Sequence, residues 1–161
     1  MTVRPALSLM TSLFLGSVGV GSAYAANQDV GHSMPGQSNV QQDMVISDVI
    51  MESSDETPNI YSLYFTLKNN GDEPHLLTSV TSPSCPTLIG HHSDQESTPG
   101  TINLFTHLPL PAHTTLVFPH GGYHLLCMNS DQPIQVGQDV SVKFSFMGGA
   151  TKDVTVKIRK S

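Results

Sequence analysis

The 161 residues carry 13 Asp and Glu against 7 Lys and Arg, a formal net charge of −6, and the one basic cluster is the short end with Lys157, Arg159 and Lys160. The electrostatic footprint of a nucleic-acid-binding protein is therefore missing. A chain of this length supports one domain core, and not comfortably two.

Arg4 precedes an apolar run over residues 7–21, and Ala23-Tyr24-Ala25 follows with small residues where a signal peptidase requires them. Residues 1–25 therefore read as an export signal. The run is too short, and too diluted by Ser, Thr and Gly, to span a bilayer of roughly 30 Å as a mature helix. The mature chain is expected in the periplasm or another extracytoplasmic space, with no transmembrane segment. Residues 26–42 are rich in Gln, Asn, Ser, Gly and Pro without helical or strand periodicity, which predicts a flexible tail. Within it, His32-Ser33-Met34 sets an imidazole and a thioether two residues apart, a pair that could hold a soft cation or be an ordinary part of a polar tail.

The folded domain is expected over residues 43–161. Residues 44–51 form a β-prone run followed by an acidic loop with Pro58, and residues 60–68 are rich in aromatic and β-prone types up to the turn signal Asn69-Asn70-Gly71-Asp72. Further strands are predicted at 76–81, 87–92, 101–106, 114–118 and 123–128, with Pro83, Pro86, Pro109 and Pro111 as breaks because proline lacks the N–H a ladder needs. Residues 140–146 and 154–158 alternate cleanly around Gly148-Gly149, the pattern of a hairpin with one buried face. No stretch sustains helical periodicity and no internal repeat is present. About eight or nine short strands with Gly- and Pro-rich loops indicate an all-β sandwich or barrel with Greek-key connections.

Two histidines stand out, His91 and His124, with thirty-two residues between them. His124 follows Gly121-Gly122 and opens an apolar strand, where an imidazole has no ordinary packing reason to sit. His92 belongs to the opposite strand face from His91, so only one of the two should aim at His124. His120, just before the Gly-Gly turn, is placed to fold back over the site. His75, His107 and His113 lie near Pro or turn residues and read as solvated surface. The two cysteines, Cys85 and Cys127, are an even count in an exported chain, which predicts a disulfide. The competing reading makes Cys127 a thiolate ligand three residues after His124, but strand alternation puts the two side chains on opposite faces.

Several of these segments together resemble the periplasmic copper chaperones called PCuAC. Tyr64-Phe65-Thr66-Leu67-Lys68-Asn69-Asn70-Gly71 is similar to the family's central strand and turn, Ser82-Pro83 to its next bend, and Gly121-Gly122-Tyr123-His124-Leu125 to its metal-site strand; Gln132-Pro133 and Gly137 also match. The likeness covers about residues 43–158. It implies a cupredoxin-like Greek-key β-sandwich that carries copper, as Cu(I), towards the CuA centre of cytochrome oxidase. It also implies respiratory oxidase assembly proteins as copper acceptors and a monomeric carrier that is not an enzyme. The family's metal motif is His, ten residues, Met, twenty-one residues, His, one residue, Met. Here that spacing falls on His91, Ile102, His124 and Leu126, so both histidines are present and both methionines are replaced. Thioether sulfur favours Cu(I), whereas imidazole alone also suits Cu(II) and Zn(II), which leaves the metal's identity and oxidation state open. His92, His120, His32 and Met34 are possible additional donors.

A blue-copper carrier needs a Cys followed closely by a second His, and His124 is the last histidine in the chain. Hydrolase signatures such as G-x-S-x-G and H-E-x-x-H are absent from the sequence. Two readings stand: a His-based, Met-depleted copper carrier, or a non-metal extracytoplasmic interaction or assembly module on the same fold.

Overall fold

Alternation in one strand defines the inside of the molecule. In the computed structural model, which describes residues 37–55 and 57–161, Tyr61, Leu63, Phe65, Leu67 and Asn69 of β2 (Tyr61–Asn69) are all buried, while the residues between them face outward. Around it lie β1 (Met44–Ser53), β3 (His75–Thr81), β4 (Thr87–His92), β5 (Leu108–Leu110), β6 (Thr115–Phe118), β7 (Tyr123–Met128), β8 (Asp139–Phe146) and β9 (Thr151–Lys160). The hydrogen-bonded order is β4-β7-β2-β1-β9-β8-β3-β5, with β6 added to β2.

The sheet curls into two layers because β9 pairs with both. It runs antiparallel to β8 from Ser145–Thr151 to Asp139–Lys157, and its end turns parallel to β1, pairing Met51 with Ile158 and Ser53 with Lys160. The inner residues of β8, Val140, Val142, Phe144 and Phe146, are buried against those of β2. Phe65 is the hub, with ring centroids 5.2 Å from Phe144 across the layers, 4.9 Å from Phe118 and 5.6 Å from Phe105. Each such aromatic contact adds about 0.5–1.5 kcal/mol beyond the apolar area it removes from water.

Polar groups inside are satisfied in ways that fix the loops. The Tyr61 hydroxyl donates to the Ile134 carbonyl (3.1 Å) and accepts from the Ile134 N–H (2.8 Å), which ties the β7–β8 loop to β2. The buried Asn69 amide donates to the carbonyls of Glu73, Leu110 and Pro111, joining the β2–β3 turn to β5. Cys85 and Cys127 form a disulfide with a Cα separation of 5.3 Å. It fastens the bend after β3 to β7, and closing a loop of 42 residues' separation stabilises the fold by about 4 kcal/mol on the chain-entropy account.

Three expectations are corrected. Residues 101–106 are not a strand: α2 (Pro99–Ile102) and a 3-10 turn (Leu104–Thr106) occupy this stretch. The cause is local, since the Thr98 hydroxyl caps the Thr101 N–H at 3.2 Å and Pro99 sits in the first turn, where its missing N–H costs nothing. The tail predicted over 26–42 does not extend that far, because a 3-10 turn (Gln37–Asn39) and α1 (Val40–Asp43) lead into β1 and Val40 is wholly buried. His75 is not solvated surface: it is 2% exposed, and its Nε2 lies 2.9 Å from Oδ2 of Asp43. Residues 1–36, including the predicted export signal and His32-Ser33-Met34, lie outside the described residues.

Candidate metal centre

Two adjacent antiparallel strands bring the two motif histidines side by side. β4 is an edge strand, and its register on β7 sets His91 directly opposite His124, with Ile89 opposite Leu126 on the same face. The imidazole centroids are 5.1 Å apart at 66°. Alternation sends Leu125 and Cys127 into the core, so His124 and Leu126 occupy the other face of β7, beside Tyr64 and Ser62 of β2. His92 points away from this pair, as the period of two requires, and its ring meets Tyr123 at 4.6 Å.

His124 is 3% exposed, and its Nδ1 lies 3.0 Å from the Gly122 carbonyl. A carbonyl oxygen only accepts, so Nδ1 carries the proton and Nε2 keeps a lone pair. Burial lowers the His124 pKa from its ordinary 6.5, the Gly122 carbonyl partly opposes this, and neighbouring His91, His120 and His92 lower it further. The ring is thus held neutral, the form that coordinates metal. Nδ1 of His91 is buried without a hydrogen-bond partner among the described residues. A buried polar atom left unsatisfied costs about 1–3 kcal/mol, so an acceptor of electron pairs at this spot would relieve it. The donor chemistry fits a borderline or soft metal ion, although among the described residues no three His, Cys, Asp or Glu converge as a ready-made site.

The remaining motif positions supply no donor. Ile102 ends α2, whose backbone lies so close to β4 that a Cβ on Gly90 would overlap the Thr101 carbonyl oxygen. Gly90 is thus what lets this loop reach the strand of His91. Leu126 lies two residues beyond His124 on the same face, in register with Ser62 and Ile89. Cys127 is spent in the disulfide and carries no metal role. His107 and His113 are solvent-facing, as expected, and His113 meets Asp72 in an exposed pair.

Two residues of this face were not singled out from sequence. Tyr64 lies between His120, stacked at 3.8 Å, and His124, tilted at 5.1 Å. Glu52 is a buried carboxylate that accepts from Arg159 Nε (2.7 Å) and lies 3.2 Å from His120 Nε2. The signal available was alternation in β1, where Ile50 and Glu52 share a face and pair with Tyr64 and Ser62.

The sequence pattern of the LpqE-like family, described as "Putative lipoprotein LpqE-like", matches residues 44–158. The chain belongs to the LpqE-like family. A "Putative lipoprotein Lxx21020" from Leifsonia xyli subsp. xyli (strain CTCB07) is 28% identical over 94 residues, 58% of this chain, and the chain spans 57% of that relative's length. Among solved structures, this LpqE-like chain matches the apo PCuAC domain from PmoF1 at a TM-score of 0.60 and 16% identity, covering 74% of this chain and 95% of that one. The copper-bound PCuAC domain from PmoF2 matches at 0.59 and 17% identity, covering 74% and 94%. CuI-DR1885 from Deinococcus radiodurans matches at 0.55 and 21% identity, covering 81% and 97%. The LpqE-like chain therefore has the fold of the PCuAC domains.

Proposed function

We propose that this protein is an exported copper carrier whose site is built on His91 and His124. The observation that carries the reading is the cross-strand pair itself: two imidazoles in direct register, one kept neutral by burial with its tautomer set by the Gly122 carbonyl, and the other with an unsatisfied buried nitrogen. Fold-mates named as copper-bound or Cu(I)-bound, and relatives named as lipoproteins, support a copper cargo and an extracytoplasmic location. Among the described residues no helix is long and apolar enough to cross a membrane. The protein acts as a monomeric carrier rather than an enzyme, with copper-accepting assembly proteins of a respiratory oxidase as recipients. With imidazole and no thioether, the site accepts Cu(II) as well as Cu(I).

A second reading rests on Ile102 and Leu126, whose apolar side chains stand where the PCuAC pattern has sulfur: an interaction module that no longer holds metal. One titration separates the two. Copper binding to purified protein should be strongly weakened by His91→Ala and by His124→Ala and left unchanged by His107→Ala. The double variant I102M/L126M, two near volume-conserving changes that cost less than about 1.5 kcal/mol each, should gain Cu(I) affinity while its Cu(II) affinity stays constant. Equal copper binding in every single variant would move the site to His32-Ser33-Met34, whereas no gain in the double variant, with its fold intact, establishes the interaction module instead.

A further inference from the structure

The proposed copper site is short of donors, and a third imidazole sits beside it in a position that packing alone does not require. His120 rides on a turn closed by the Gly122 N–H to the Pro119 carbonyl (3.3 Å), followed by Gly121 at φ 73°. Its side chain is 56% exposed, yet its Nε2 faces the buried Glu52 carboxylate and its ring lies flat on Tyr64. The same Tyr64 ring touches His124, so one phenol separates His120 from the inner imidazole of the pair. A hollow of about 370 Å³, lined by Tyr64, Val117, Phe118 and His120 among others, opens beside the ring.

We propose that His120 is a movable third copper ligand, held on Glu52 in the metal-free protein and brought onto the His91–His124 pair when copper binds. This rests on the copper reading above and adds a ligand to it. A nitrogen that donates its N–H to a carboxylate has no lone pair for a metal, so hydrogen bonding to Glu52 and coordination through the same Nε2 exclude one another. Leaving Glu52 does not strand a buried charge, because Arg159 Nε stays on the other carboxylate oxygen at 2.7 Å. Three imidazoles in place of two imidazoles and two thioethers shift the preference towards Cu(II).

The test uses the whole protein loaded with one equivalent of Cu(II), with pulsed electron paramagnetic resonance to count coordinated imidazoles and a chelator competition to measure affinity. Wild type should show three imidazoles. His120→Ala and His120→Gln, the latter retaining a hydrogen-bond donor for Glu52, should each show two. Both variants should lose at least the roughly tenfold in affinity that removal of even an outer-shell partner costs a metal site. Two imidazoles in wild type, with His120 variants binding as tightly and His91→Ala and His124→Ala not binding, overturns the third ligand and leaves the two-histidine site standing. Unchanged binding in all four variants overturns both.

Discussion

Two histidines of this molecule are buried to the same degree and meet opposite kinds of partner. His75 on β3 is 2% exposed and His124 on β7 is 3% exposed. His75 turns Nε2 to the carboxylate of Asp43, an anion that fixes the ring between the first helical turn and β3. Among the described residues His124 has no anion against it: its partner is a neutral carbonyl, and its other neighbours are Tyr64 and further imidazoles. Burial by itself therefore says nothing about ligation. What separates a structural histidine from a candidate ligand is whether a negative charge already occupies the position a cation would take.

The largest effect that can break this comparison comes from the anchored histidine. Asp43→Ala leaves His75 buried without its acceptor and should lower unfolding stability by about 1–3 kcal/mol, read as an earlier urea midpoint. Copper binding should be unchanged, since Asp43 ends α1 and its carboxylate meets His75 rather than the His91–His124 pair. If copper binding is lost instead, the two histidines are coupled and the contrast fails.

A smaller effect is expected at the open pair. His91→Leu replaces a ring with an unsatisfied buried nitrogen by an apolar side chain of similar bulk, so stability without metal should stay within about 1 kcal/mol of wild type or rise. Copper binding should disappear in the same variant. A stability loss as large as that of Asp43→Ala would make His91 a packing residue.

The smallest effect is a pH dependence whose sign follows from the lowered pKa of His124. As pH falls through the ordinary value of 6.5, the unfolded chain takes up a proton at this position and the folded chain does not. Stability contributed by the neutral ring is complete above that pH and declines below it, until the lower folded-state pKa is reached. Melting temperatures between about pH 7.5 and pH 5 should fall less steeply for His124→Phe than for wild type. Equal slopes would mean that His124 is not the group responsible.

Strand alternation made most of this fold readable. The bounds of β4 and β7 follow directly from it, and so does the separation of His91 from His92 and of His124 from Cys127. The failures share a cause, which is that the deciding partner is either a cap or distant in sequence. Thr98 and Pro99 turned a β-prone stretch into a helical one. The acceptor of His75 lies 32 residues upstream, directly after the segment that composition marks as tail. β5 was not legible because Pro109 falls inside it, which an edge strand paired, among the described residues, with β3 alone tolerates. The motif histidines were legible because their spacing is a pattern. Tyr64 and Glu52 were not, because what they touch is decided by register across three strands.

The disulfide has a consequence for the order of events in assembly. Cys127 lies three residues along β7 from His124, and Cys85 follows β3, the strand of His75. While the thiols are reduced, β7 lacks its covalent hold and the register that sets His124 opposite His91 depends on hydrogen bonds to the edge strand β4 and to three residues of β2. If the imidazole pair carries copper as proposed, oxidation has to precede loading: a chain that meets the metal before its thiols pair would offer two sulfurs to a soft ion ahead of two imidazoles. Closing the sulfur bridge withdraws those donors and leaves the imidazole face as the place where copper can settle.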